Sequence, residues 1–183
     1  MAILALAAIL FIARLGARAL WASEFRWAEI AREMIATGNY FWPTIDGRVY
    51  YDKPLGSYWL VVAAARLSGA MDETAARLPC AIAGLLGVWV LMLIARRLYD
   101  WRMAAWSGLI LATSFSFVFF SRHASADIET VTGELIALAI FLRNEDRRGG
   151  GWWVVGLWLV MALTSLTKGL LGFALPQIGR AHV

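Results

Sequence analysis

The 183-residue sequence contains one cysteine, two histidines and four prolines, and only 16% of its residues are charged. Cys80 alone cannot close an intramolecular disulfide, and its apolar surroundings leave the redox compartment unread. With His123 and His182 as the only histidines, a Cys/His zinc site is excluded. A soluble domain carries about 25% charged residues, so the shortage of charge already sets this chain apart. Its 17 Lys and Arg against 13 Asp and Glu form no long run or stripe, which removes the usual footprint of a nucleic-acid partner. No internal repeat is visible, and with it goes the mark of a transporter built from inverted repeats.

What is present is hydrophobic sequence in blocks. Apolar residues make up 61% of the chain and mean hydropathy is +0.64, which places it among integral membrane proteins. A spanning helix needs about 20 mostly apolar residues. Leu78–Ala95 and Met103–Ser121 carry no charge. Trp152–Thr167 continues past Lys168 to Leu175, and Ala126–Leu142 is helical in pattern although it holds Asp127, Glu129 and Glu134. Met1–Ala13 reads as a first span rather than a signal peptide, because it lacks a basic start and a small-residue cleavage pattern. The expectation is an all-α polytopic membrane protein with spans at about 1–20, 76–95, 103–121, 126–142 and 152–175.

Residues 21–75 form the connection between the first two spans. At 1.5 Å per residue Pro54–Ala65 reaches about 18 Å, against about 30 Å of hydrocarbon, so it is expected to lie in the interface. After Ser23 the segment EFRWAEIAREMIATG predicts a second interfacial helix. Ser23 can cap it, Gly38-Asn39 can end it, and Trp27, Ile30, Ala31 and Met34 share its apolar side. Arg26, Glu29, Arg32 and Glu33 occupy the rest, as on a surface-lying amphipathic helix.

Direction follows from the short loops. RRLYDWR and RNEDRRGGG hold three arginines each and are separated by two spans, so the positive-inside rule makes their face cytoplasmic. The Arg14–Arg77 segment, the Arg122–Ile128 turn and the Lys168 end then face outward. Trp21, Trp42 and Trp59 fall in the outer aromatic belt, and Trp101, Trp106, Trp152 and Trp153 in the inner one. Glu24, Arg26, Asp52, Lys53, Arg122, Asp127 and Lys168 therefore share the outer interface. Charges at that depth are candidates for function, and carboxylates with cations at a lipid headgroup suit chemistry on a lipid phosphate.

Five motifs occur in order: SEFRWAEIAREM, DGRVYYDKPLGSYWL, AARLPCAIAGL, SRHASADIET and LTKGLLGF. Together they resemble the bacterial C-type glycosyltransferases, which include the lipid A aminoarabinose transferases and the protein O-mannosyltransferases. The resemblance runs from about Leu15 to Pro176. It implies the N-terminal part of a C-type transmembrane bundle in the bacterial cytoplasmic membrane, multi-pass, with interfacial helices in its first outer loop. Such an enzyme moves a hexose or pentose from a polyprenyl-phosphate carrier to a lipid, glycan or protein acceptor on the outer face.

The chemistry needs a carboxylate to take the acceptor proton and cations to hold the departing phosphate. The family's first-loop acid pair reads Ser23-Glu24 here, so the base falls to Glu24, with Asp127 or Asp52 as alternatives. The resemblance assigns Glu24 and Asp127 to catalysis and Arg26, Lys53 and Lys168 to the substrate phosphate, and Arg122 joins the phosphate group by its place in the same outer layer. It also assigns Asp52 to a divalent metal ion, should one take part. Arg77 reads as interfacial packing. A transporter fragment and a catalytically silent scaffold are the competing readings. Finally, residues 177–183 can be written in codons that match the start of a common sequencing adapter, so this tail is expected to be read-through, with a genuine short tail as the rival.

Overall fold

The computed structural model describes residues 1–144 and 151–180. Its elements are α1 (Ala2–Ile12), α2 (Glu24–Thr37), β1 (Thr44–Ile45), β2 (Arg48–Val49), α3 (Gly56–Ser68), α4 (Glu73–Leu98), α5 (Trp101–Thr113), α6 (Phe115–Ser121), α7 (Asp127–Asn144), α8 (Trp152–Lys168) and α9 (Leu171–Arg180). The organising element is α4, which packs against α1, α3, α5, α6 and α7. Asp72 caps its start by accepting from the Ala75 amide at 2.7 Å. Arg96 and Arg97 fall in its last turn, where cations suit the helix dipole. Asp100 caps α5 in the same way, through the Met103 amide at 2.8 Å.

The amphipathic pattern of α2 is realised as read. Trp27, Ile30, Ala31 and Met34 are buried and pack with Tyr58, Val61 and Val62 of α3. Each fully buried side chain of the size of Ile30 or Met34 contributes about 1.5–3 kcal/mol, so this face fixes α2 against α3. A second cluster joins Phe11 of α1, Cys80 and Val88 of α4, Ala112 of α5 and Phe117 of α6. A smaller third cluster joins α7 to α8 through Ala137, Leu157 and Met161. Large apolar side chains on the outward faces, among them Ile9, Trp89, Ile110 and Leu159, are exposed.

Several expected boundaries move. The first apolar block ends as a helix at Ile12, and the chain then turns through Arg14 at positive φ. The 103–121 block is broken at Ser114 into α5 and α6, bent by 66°. The cause is local: the Thr113 hydroxyl donates to the Leu109 carbonyl at 2.8 Å and Ser114 to the Leu111 carbonyl at 3.2 Å. Such side-chain bonds compete with the helical ladder. The 152–175 block is broken at Gly169, whose φ of 71° and ψ of −142° only glycine adopts readily. Beyond it α9 runs to Arg180, through the expected read-through position at 177; residues 181–183 and Arg147 and Arg148 of the RNEDRRGGG loop lie outside the described residues. Among the described residues one helix, α4, is long and apolar enough to cross a membrane. The bent α5–α6 pair would make a second, and α1 and α8 are apolar but shorter.

Candidate active site

The acid-Lys-Pro motif follows a short hairpin. Asp46 and Gly47, at φ of 52° and 71°, form its two-residue turn, the left-handed pair that matches strand twist. Glu33 of α2 pins the hairpin by accepting from the Thr44 hydroxyl and from the Gly47 amide. The chain is thereby delivered to Tyr50 and Asp52 beside the first turn of α2. There Arg26 Nη1 donates to Tyr50 Oη at 2.7 Å and to Asp52 Oδ2 at 3.4 Å, while Lys53 Nζ lies 3.5 Å from the same oxygen. The Arg26 and Asp52 side chains are 44% and 43% exposed. An ion pair this open is worth about 0–1 kcal/mol, so both cations are available to a ligand. The expected metal role of Asp52 does not fit these surroundings: a single carboxylate flanked by two cations is not a donor set for a divalent ion. Among the described residues, the acids close enough to share an ion are Glu29, Glu33 and Asp46. Arg32 already binds Glu29, at 2.9 and 2.5 Å.

A second charged pair joins Asp127, at the start of α7, to Lys168, at the end of α8. They stand on a recess of about 430 Å³ whose other walls include Phe117, Phe120, Thr130, Glu134 and Leu171. Glu134, which is not among the site residues expected from the sequence, belongs to this recess. The two charged groups adjoin through the backbone. Pro54 lies 4.0 Å from where a Cβ on Gly169 would stand, and a Cβ on Gly56 would meet the Leu166 carbonyl oxygen at 2.6 Å. The DKP segment therefore abuts the end of α8, and a buried bond from Ser57 Oγ to Glu129 ties α3 to α7 beneath it.

Glu24 is elsewhere. It is 0% exposed, and both its oxygens are occupied. Oε1 accepts from Arg77 Nε at 2.8 Å and the Ala124 amide at 2.9 Å, and Oε2 accepts from Arg77 Nη2 at 2.8 Å and the Trp21 amide at 3.2 Å. Burial pushes this carboxyl up, but the bonds from Arg77, Ala124 and Trp21 outweigh it and hold the group below its ordinary 4.5. So arranged, Glu24 has no oxygen to offer an acceptor, and the expectation that it is the base gives way to a structural role. Its partner Arg77, read as interfacial packing, is instead buried and also donates to the Leu15, Arg18 and Ala19 carbonyls. Arg122 likewise departs from its expected phosphate role: it donates to the carbonyls of Leu10, Phe11 and Ala13, at 2.8, 3.1 and 3.0 Å. Arg122 thereby satisfies carbonyls left open where α1 ends, and Arg77 those of the segment that follows it. Ser23, expected to cap α2, makes no cap bond; its hydroxyl lies 3.1 Å from His123 Nε2.

Sequence reasoning missed Arg77, His123 and Tyr50. For Glu24 a signal was present, since Glu24, Trp27, Ala31 and Met34 follow the spacing of one helix face. A carboxylate on a buried stripe requires a buried cation, and the neighbouring helix supplies it.

This arrangement of helices and charged groups is that of a C-type glycosyltransferase. Crystal structures of ArnT from Cupriavidus metallidurans, in the apo state and bound to undecaprenyl phosphate, match with TM-scores of 0.89 and 0.90. In both, sequence identity is 32% and the match covers 99% of this chain and 34% of ArnT. Residues 52–179 match the family described as dolichyl-phosphate-mannose-protein mannosyltransferase, and the chain belongs to that family. Among curated relatives, undecaprenyl phosphate-alpha-4-amino-4-deoxy-L-arabinose arabinosyl transferase 2 of Pseudomonas fluorescens is 30% identical, over 92% of this chain and 31% of that protein. The corresponding transferase of Edwardsiella ictaluri is 31% identical over the same shares. The chain spans about a third of the length of these relatives.

Proposed function

We propose that the chain forms the donor-phosphate end of a glycosyltransferase that moves a sugar from a polyprenyl-phosphate carrier to a lipid, glycan or protein acceptor. The reading places it in the bacterial cytoplasmic membrane as a multi-pass protein, with the α2–hairpin–α3 layer on the outer face. The observation that carries it is a pair of open cationic groups on abutting segments, Arg26–Lys53 next to Pro54 and Lys168 next to Gly169, the second lining a recess with aromatic and aliphatic walls. A polyprenyl phosphate has the same make-up, an apolar chain with a charged end. Lys53, Arg26 and Lys168 hold the phosphate and stabilise the charge it gains as the sugar leaves. Asp52 keeps Arg26 and Lys53 aimed into the layer, and Asp127 orients Lys168 and faces the sugar. No step requires a metal at Asp52. The ArnT structure with bound undecaprenyl phosphate supports this class of donor, at 32% identity.

The test uses a full-length enzyme carrying this segment and an undecaprenyl-phosphate-linked sugar donor. Lys53→Ala, Lys168→Ala and Asp127→Ala are each expected to abolish transfer while membrane insertion is retained. Wild-type turnover in all three would defeat the assignment. Donor movement across the bilayer without transfer would favour a transporter, and neither activity a silent scaffold.

A further inference from the structure

Ser23 opens α2 without capping it, and its hydroxyl instead meets His123 Nε2, across the turn between α6 and α7, at 3.1 Å. The other ring nitrogen, Nδ1, lies 3.6 Å from Glu24 Oε1 and has no hydrogen-bond partner among the described residues. Phe119 stacks on the ring at 5.3 Å and Trp21 meets it edge-on at 5.6 Å, leaving His123 7% exposed. Both Glu24 oxygens are already taken by Arg77, Trp21 and Ala124, so Glu24 acts on Nδ1 through its charge and not through a hydrogen bond. A negative charge on that side favours the Nδ1–H tautomer, which leaves the Nε2 lone pair to accept the Ser23 hydroxyl proton. The Ser23 hydroxyl thus bonds to the imidazole at 3.1 Å, with a carboxylate charge 3.6 Å from the far side of the ring, a placement that makes a hydroxyl proton transferable.

The charges around the ring come from several elements. Glu24 of α2, Arg77 of α4 and Asp127 of α7 act on it, and Arg14, Arg18 and Arg122 line, with His123, a separate recess of about 260 Å³. Burial has the largest effect and lowers the ring below its ordinary 6.5; Glu24 and Asp127 oppose this and Arg77 adds to it. The ring is then neutral at pH 7, the form that accepts a proton. The relay also borders the phosphate layer. Arg26 lies one helical turn beyond Ser23, its amide bonded to the Ser23 carbonyl at 3.1 Å, and its guanidinium reaches Asp52 beside Lys53.

We propose that Ser23 and His123 form the proton relay of the transfer reaction, with the charge of Glu24 favouring the Nδ1–H tautomer; the inference rests on the glycosyl transfer proposed above. As the acceptor oxygen bonds to the anomeric carbon, its proton passes to Ser23 Oγ while the Ser23 proton passes to His123 Nε2. The bond from the anomeric carbon to the carrier oxygen breaks, and its electron pair leaves with the phosphate. Glu24 stabilises the imidazolium until it gives the proton to water.

Two measurements test it. Nitrogen-15 NMR of histidine-labelled protein carrying His182→Asn reads the tautomer directly. At pH 7 a neutral ring protonated on Nδ1 is expected, with the Nε2 signal shifted by Ser23→Ala. A ring protonated on Nε2 overturns the relay. In a full-length enzyme, His123→Gln and Ser23→Ala are expected to lower kcat about 10²–10⁴-fold, with undecaprenyl phosphate affinity unchanged, and His123→Gln to remove the acid limb of the pH–rate profile. Near-wild-type turnover, or a loss that leaves the acid limb in place, shows the Ser23–His123 bond to be only a clamp and overturns the relay. Failure of the wider reading looks different: a wild-type enzyme with the Nδ1–H tautomer that transfers no sugar defeats glycosyl transfer, whereas the wrong tautomer with normal transfer defeats the relay alone.

Discussion

Neutralising Glu24 tests whether the buried pair with Arg77 holds α2 to α4 and to the turn before α7. In Glu24→Gln the shape is kept, but the new amide NH₂ must replace one of the two oxygens. At Oε1 it would face Arg77 Nε and the Ala124 amide, and at Oε2 Arg77 Nη2 and the Trp21 amide. Either way donors face donors, and Arg77 is left 4% exposed without its counter-charge. Removing one partner of a buried pair costs about 3–5 kcal/mol, which for a chain of this size corresponds to a fall in Tm on the order of 10 °C. Thermal melts of the purified protein in detergent measure it. The double change Glu24→Leu with Arg77→Met is expected to recover much of the loss, since apolar replacement of a buried pair is often tolerated. A single-variant shift under about 2 °C, or a double variant as unstable as the two singles summed, would refute the reasoning. The pH dependence has a definite sign. Because the folded carboxyl sits below 4.5, the contribution of Glu24 is present above that pH and is lost as pH falls through the lowered value.

Other substitutions separate structure from chemistry. Arg122→Gln removes the donors to three carbonyls at the end of α1 and is expected to cost about 1–3 kcal/mol in a melt, with undecaprenyl phosphate affinity unchanged; lost affinity without lost stability would return Arg122 to the phosphate site. Gly56→Ala puts a Cβ 2.6 Å from the Leu166 carbonyl oxygen, a backbone atom that cannot swing aside, and should destabilise by about 1–3 kcal/mol. Free accommodation of Gly56→Ala, with an unchanged Tm, would mean that α3 does not abut α8. For topology, single cysteines at Asp46 and Ser125 are expected to react with an impermeant reagent from outside, and those at Trp101 and Asn144 only from inside. Labelling of Asp46 and Trp101 from the same side would overturn the interfacial placement of α3.

Much of this architecture is written in local pattern. The apolar stripe of α2, its end at Gly38 and the short reach of α3 follow from spacing and length, and the structure keeps all three. Helix breaks at Ser114 and Gly169 were not legible from hydropathy, because a single hydroxyl or glycine leaves an apolar average unchanged while redirecting the backbone. The open charges Arg26, Asp52, Lys53, Asp127 and Lys168 were singled out by the depth expected of them, and in the fold they form two groups on adjoining segments. Depth could not tell an open charge from a consumed one. Glu24 and Arg122 share the layer, yet their hydrogen-bonding capacity is spent on Arg77 and on the carbonyls of α1, partners that only the fold brings near. Ser23 looked like a helix cap by position, but its partner is 100 residues away.

The central claim is that Lys53 and Lys168 together hold a polyprenyl phosphate, and binding measures it most directly. Undecaprenyl phosphate affinity, measured by native mass spectrometry of the protein released from nanodiscs, is compared between wild type, Lys53→Gln, Lys168→Gln and the double variant. A hydrogen bond to a charged group is worth about 1.5–3 kcal/mol, so each single change is expected to weaken binding about 10–100-fold, and the double change more than either. Unchanged affinity in the double variant, with the fold intact by melting, would contradict the account.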